Sequence, residues 1–529
     1  MADAVVVGSG PNGLTAANRL ADHGWEVTVL EAADTPGGAV RSGELIEPGW
    51  LNDWCSAFYP LAAASPSIVG LGLEEYGLRW LHAPLVLAHP TRDGTCPVIS
   101  RDLAETVKSL EAAHPGDGDA WRRLFEEWDR LEDSLLGAML GPFPPVKAGA
   151  QLVSRITPQH LVRFARFCLL PVRRMGEEEF VSPQAQRLLA GAALHADFFP
   201  ESTLSGFFGW LMCALGQKWG FPVPAGGAGE LSGSMVRRLQ ARGGQVVCGA
   251  PVTEIVVRGG RALGARLPNG EVVSAERAVL ADTNAPLLYR SLVASRHLPS
   301  SLLADLEKFD WDDATVKVDW NLNGPVPWTA PEARRAGTIH VAEGVDALTV
   351  SASQIARGLL PSDPFLLIGQ QSMIDPSRQP HGGETLWAYT HVPRQVKGDA
   401  GDAGLTGSWE PSEADRFADR MEAEIEALAP GFRSLIRARH IQTPPVFEAE
   451  NANLNGGAIS GGTAQLHQQL VFRPTPGLGR PETPVPGLFL ASSSAHPGGG
   501  VHGAAGTNAA RAALAADQRR RAKAFLLRR

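Results

Sequence analysis

Three glycines near the start of the chain, Gly8, Gly10 and Gly13 in "AVVVGSGPNGL", stand at G-x-G-x-x-G spacing. An apolar run precedes them and an alanine-rich run to about Asp22 follows, so the pattern predicts strand, tight turn and helix. In such a turn Gly8 bends the chain, Gly10 lets backbone approach a pyrophosphate, and Gly13 lets helix and strand pack closely. The loop Ser9-Gly10-Pro11-Asn12 leads into a helix N-terminus, whose free N–H groups and partial positive charge suit that phosphate. A second strand, "EVTVLE", ends in Glu31, 23 positions after Gly8. A carboxylate there accepts both hydroxyls of an adenosine ribose and repels a 2′-phosphate. Helix packing alone would account for the glycines and leave Glu31 without a purpose.

Glu31 and Ala32 open the stretch "EAADTPGGAVRS", in which Gly37 and Gly38 make a second close backbone approach. Arg41 follows as a partner for a flavin or phosphate, or as a solvated arginine. The E-A-x-x-x-x-G-G pattern resembles the N-terminal signature of flavoproteins with a glutathione-reductase type of FAD domain, which implies FAD rather than NAD. Residues 487–514, "GLFLASSSAHPGGGVHGAAGTNAARAAL", repeat the strand–glycine turn–helix grammar at the other end of the chain. A second helix N-terminus there, approached by the backbone of Gly499, Gly500 and Val501, would stabilise negative charge on a reduced flavin ring. Gly500 is expected to be glycine because backbone must lie against a flat ring. His496 and His502 flank the loop, as candidates for proton transfer or as supports that hold it.

These motifs need elements to position them. Residues 221–282 read as glycine loop, helix, strand, a hairpin turning at Asn269-Gly270, and the buried strand "RAVLAD". In this fold class the backbone of Val252 meets the adenine. The predicted fold is α/β, with the FAD-binding domain split into 1–75, 216–305 and 441–529. Two inserts would form an α+β substrate domain over the flavin. Residues 76–215 are mainly helical by periodicity, and 306–440 carry the strands "TVKVDWNL", "GTIHVA", "DPFLLIGQQS" and "TLWAYTHVP".

The chain as a whole resembles the phytoene-desaturase-type flavoproteins, in the branch of the CrtO-like carotenoid ketolases and the animal pyridine nucleotide-disulfide oxidoreductase domain-containing protein 2. The carrying segments are the N-terminal "DAVVVGSGPNGLTAANRLADHGWEVTVLEAADTPGGAVRS", "NDWCSAFYPLAAASP", "GPVPW", "DPSRQPHGGETLWAYTHVP" and "HPGGGVHGAAGTNAA". The resemblance implies non-covalent FAD and hydride transfer to flavin N5 from an apolar or polyene-like small molecule. An external acceptor, oxygen or a quinone, would take the electrons. No second G-x-G-x-x-G follows a strand, so the sequence offers no nicotinamide site. Amine-oxidase-like cleavage of a C–N bond and a non-catalytic lipid carrier of the same fold are the alternatives.

Chemistry outside the glycine turns is sparse. Tyr59 in "CSAFYPL" and His195 in "GAALHADFFPE" are candidate substrate contacts; His195 and Asp197 read as lying on an apolar helix, where an interior contact is the plainer reading. No nucleophile triad and no metal-ligand spacing occurs. A net charge of −8 argues against nucleic acid as a partner. Five dispersed cysteines suit a reducing cytoplasm, and the N-terminus lacks a signal-peptide pattern. Residues 147–174 hold six Lys or Arg and no acid, interleaved with Leu, Val and Phe. That reversal predicts either peripheral contact with the inner membrane face or a basic helix packed as a cap.

Overall fold

The computed structural model describes residues 2–527. Two mixed sheets of seven strands each carry the architecture. The first runs in the order Glu254–Arg258, Arg261–Arg266, Val272–Ala281, Ala2–Val7, Val27–Leu30, Gln245–Val247, with Leu488–Leu490 parallel to the end of Val272–Ala281. Ala4, Val5 and Val6 are buried on both faces, as a central parallel strand requires. The predicted helix after the glycine turn spans Pro11–Ala21. The C-terminal helix, Ala504–Leu526, lies against it. Gly506 permits that contact, since a Cβ there would sit 1.9 Å from the Asn12 carbonyl oxygen.

The second sheet runs Ile436–Gln442, Ala314–Leu322, Glu384–Val392, Leu366–Gly369, Ala336–Val341, Leu85–Ala88, Val98–Ile99. The four strands expected within 306–440 are all present. The last two come from within 76–215, which the periodicity gave as mainly helical. Alternation along the strands sorts the sheet into two faces. Val316, Val318, Trp320, Ile339, Leu366, Ile368 and Ala388 share a core with the helix Pro411–Leu428. On the other face Lys317, Tyr389, Leu367 and His340 stand opposite one another across four neighbouring strands.

The basic stretch 147–174 spans the helices Val146–Arg155 and Pro158–Leu169 and opens a third, Val172–Glu179. Phe164 and Leu170 are buried, and Phe167 stands edge-on to Trp210 at 5.1 Å. These three side chains serve the core and are not free to enter a bilayer, whereas Leu169 beside them is half exposed. Arg166 pairs with Glu178 at 2.6 Å, Arg173 with Glu201 and Asp346 at 2.7 Å, and Arg174 with Glu178 at 2.8 Å. The acids all lie beyond the stretch in sequence and pair with three of its six cations. Among the described residues, no helix is long and apolar enough to cross a membrane.

Candidate active site

A cavity of about 890 Å³ runs from the carboxyl ends of the first sheet to the face of the second that carries Lys317, Tyr389 and Leu367. Its first wall is built from Val7, Gly8, Gly10, Pro11, Asn12, Glu31, Ala32, Gly38, Arg41 and Val252. The crevice beyond strand carboxyl ends is where open α/β sheets bind ligands. Gly8 has φ +94°, a conformation that favours glycine. A Cβ at Gly10 would meet the Asp282 carboxylate at 2.6 Å, and one at Gly13 the Gly8 carbonyl oxygen at 2.3 Å. Asp282 follows the buried strand Val272–Ala281 and accepts the Gly13 N–H at 2.8 Å. Burial pushes its carboxyl up to about 7, with Glu31 adding to the rise. Asp282 was not read from the sequence, although an acid closing "RAVLAD" was a visible signal.

Glu31 is fixed before any ligand arrives. Its Oε2 accepts the Ser9 N–H at 2.9 Å and the Ser9 hydroxyl at 2.6 Å, and its Oε1 accepts the Ala33 N–H at 2.9 Å. Three of about four acceptor positions are used, leaving one for a ribose hydroxyl. Gly37 donates its N–H to the Ser9 carbonyl at 3.1 Å, and a Cβ at Gly38 would lie 3.1 Å from the Gly10 Cα. The second glycine pair therefore presses on the first turn. Arg41 donates to the Gly38 carbonyl at 2.7 Å and lies over the Trp54 ring. Asn12 contributes a buried side-chain oxygen with no protein partner. Bare glycine backbone at a helix N-terminus and one open acceptor on Glu31 fit an adenosine diphosphate group.

Gly499, Gly500 and Val501 line the middle of the cavity. Gly500 has φ +103°, and a Cβ there would strike Leu61 at 2.7 Å. His496 and His502, by contrast, are not among the residues that line it. His496 Nε2 contacts the Gly141 carbonyl at 3.2 Å, and His502 Nδ1 accepts the Ala504 N–H at 3.0 Å. Burial pushes both down to about 4. Of the two readings the sequence offered, proton transfer or support of the loop, these contacts agree with support. A neighbouring loop, Ile459–Ala464, braces the glycines: Asp312 accepts the N–H groups of Ile459, Ser460 and Gly462 at 2.7–3.1 Å. The fully buried Arg473 donates to carbonyls of Ser460, Gly462, Thr463 and Ser493. Asp197 accepts from Thr463 and Ala464. It is thus a brace of this loop and not a cavity residue, and it lies with His195 in the turn after the helix Pro183–Ala193.

The far end is apolar and aromatic, with Phe58, Phe208, Met212, Phe221, Trp387 and Tyr389 in its walls. Tyr59 lines it too, but its hydroxyl is spent on the Ser56 carbonyl at 2.6 Å. His195 also lines it. Lys317, missed in the sequence, points its ammonium at the Asp319 carboxylate and, at 2.9 Å, the Asp53 carbonyl. A lysine alternating with Val316 and Val318 in a buried strand was the signal. Cys55 lines the cavity as a thiol, pushed up to about 12 by burial.

Fold and cradle together define a Rossmann-like oxidoreductase with a site for a dinucleotide cofactor. A family model described as NAD(P)-binding Rossmann-like domain matches residues 6–69, and one described as flavin containing amine oxidoreductase matches residues 97–299. The mouse (Mus musculus) pyridine nucleotide-disulfide oxidoreductase domain-containing protein 2 is 30% identical over 96% of this chain and 92% of its own. A neurosporene-forming phytoene desaturase of Cereibacter sphaeroides is 24% identical over 97% of this chain and 94% of its own. Among solved structures, a putrescine oxidase shares the fold at TM-score 0.60 and 17% identity, over 98% of this chain and 99% of its own. The chain belongs to the phytoene-desaturase-type FAD oxidoreductase family. It is an oxidoreductase, and FAD is its cofactor.

Proposed function

We propose that this protein dehydrogenates a largely apolar small molecule at the aromatic end of the cavity, with FAD seated along the glycine cradle. The observation that carries this reading is the continuity of one cavity from Glu31 to Trp387 and Tyr389. FAD when bound supplies the two-electron acceptor. Gly8–Gly13, Glu31, Ala32, Gly37, Gly38, Arg41 and Val252 would hold its adenosine diphosphate, and Gly499–Val501 would face the ring. Tyr59 and His195 would contact substrate, while His496 and His502 would keep the glycine loop in place. Electrons leave to an external acceptor, oxygen or a quinone. Oxidation of an amine is the second reading, favoured by the match to the amine oxidoreductase model.

The two sheets support the reading of a glutathione-reductase-type FAD domain in three segments, 1–75, 216–305 and 441–529, with an α+β substrate domain from inserts 76–215 and 306–440. Residues 147–174 remain a proposed peripheral membrane contact. The test is anaerobic: purified protein is mixed with neutral apolar molecules or with primary amines, and the flavin spectrum is followed. Bleaching by the neutral set supports dehydrogenation, and bleaching by amines alone would replace it with the second reading. A chain that stays colourless after incubation with FAD would defeat both.

A further inference from the structure

His195 and His340 form a pair at the apolar end, with His195 Nε2 at 2.8 Å from His340 Nε2. Burial holds both rings neutral, His195 being pushed down to about 3 and His340 well below its usual value. One Nε2 must therefore donate and the other accept. His340 decides which. Its Nδ1 is buried with no partner, and Gly191 fills the space beside it: a Cβ there would lie 2.5 Å from His340 Nδ1 and 3.3 Å from His89 Nδ1. His89 contacts the Ala342 carbonyl through Nε2 at 2.9 Å, so its own proton sits there and its Nδ1 is bare.

A buried N–H without an acceptor is rarer and costlier than a bare lone pair. His340 thus keeps its proton on Nε2 and donates it to His195 Nε2. His195 must then carry its proton on Nδ1. That nitrogen has no acceptor among the described residues and is not one of the buried unpartnered atoms, and the ring itself lines the cavity.

We infer that His195 presents an N–H donor to the apolar end of the cavity, so that the substrate is an apolar molecule bearing a neutral oxygen acceptor, such as a carbonyl. This rests on the proposed reading that substrate occupies this end. A pure hydrocarbon would strand the donor. An ammonium would bring more donors to a wall without a carboxylate: the cavity's acids, Glu31, Asp282 and Glu450, lie elsewhere along it. Glu450 accepts from Gln442, which stands beyond Lys317 in the cross-strand row Gln442, Lys317, Tyr389, Leu367, His340. Three strand spacings separate Lys317 from His340, about 14 Å. The acceptor on the substrate lies at the end remote from the lysine.

The experiment uses the FAD-loaded protein and two probes of one carbon skeleton, 2-undecanone and undecane, with undecylamine as the third. Binding is read by tryptophan fluorescence and flavin content by the visible spectrum of the same sample. The ketone should bind on the order of tenfold more tightly than the alkane, the amine no better than the alkane. His195→Phe should erase the ketone's advantage and leave the alkane unchanged, while His195→Gln, which retains an N–H, should keep much of it. Ketone and alkane binding alike, or a ketone advantage that survives in His195→Phe, would overturn the inference while leaving the flavin reading intact. A chain without flavin would instead defeat that reading. Nitrogen NMR of ¹⁵N-histidine-labelled wild type needs no variant: His195 as the Nδ1–H tautomer is expected, and Nε2–H would overturn the proposal.

Discussion

Glu31 shows how a single carboxylate can be set for its ligand by the chain that carries it. Three hydrogen bonds from Ser9 and Ala33 orient it within the protein itself. Glu31→Ala should weaken FAD binding by about 1.5–3 kcal/mol, the range for a hydrogen bond to a charged group. Flavin fluorescence titration measures this, and an unchanged affinity would remove Glu31 from the ribose site. Glu31 was legible because a fixed chain distance from the glycine turn defines its place. Arg473 was not, since its worth lies in gathering carbonyls from Ser460 through Ser493, which no spacing rule connects. The histidines mark the same limit. Position beside a loop does not say which way a ring points, so the sequence left proton transfer and loop support both open for His496 and His502, and neither ring lines the cavity.

The elements that form the cradle are coupled through a few close approaches. The glycine turn is stoppered by Asp282, whose folded value of about 7 stands above the ordinary 3.8. A raised value means that its stabilising contribution is complete below about pH 4 and is lost as pH rises through 7. Flavin-free protein should therefore have a lower urea midpoint at about pH 8 than at about pH 5. Asp282→Asn should shrink that difference without abolishing it, because burial also raises Asp312 to about 6 and Asp313 to about 8. A difference of undiminished size would show that Asp282 is ionised throughout. The joint between the first and last helices gives a second test. Gly506→Ala places a methyl group against the Asn12 carbonyl and forces the helices apart. Overpacking of this kind costs about 1–3 kcal/mol, and here both flavin loops should shift with it. A lower urea midpoint together with weaker FAD binding is expected; a midpoint equal to wild type would show that the contact yields freely. Both helices were legible from composition, whereas their contact, between residues almost five hundred positions apart, was not.

At the scale of the whole molecule, the open matter is what the helices of 147–174 face. Charge alone predicts salt-sensitive docking on anionic lipid, with up to about 1 kcal/mol from each cation. The structure reduces that sum, since Arg166, Arg173 and Arg174 are already engaged by Glu178, Glu201 and Asp346. Lys147, Arg155 and Arg163 remain to meet a headgroup. The same helices leave Val146, Val153, Val162 and Leu169 at least half exposed, and these are the apolar side chains free to meet a bilayer. We therefore expect association with anionic vesicles at low salt that added salt weakens but does not abolish. Replacing Lys147, Arg155 and Arg163 by Gln should remove the salt-dependent part. Replacing Val153, Val162 and Leu169 by Ser should remove most of the remainder, with FAD still bound in both variants. Arg166→Gln and Arg174→Gln should have little effect, because their charges are spent within the protein. Flotation of vesicles on a density gradient measures each case. If wild type stays free of anionic vesicles at low salt, the three helices are a solvent-facing cap, and an apolar substrate must reach the cavity by another route.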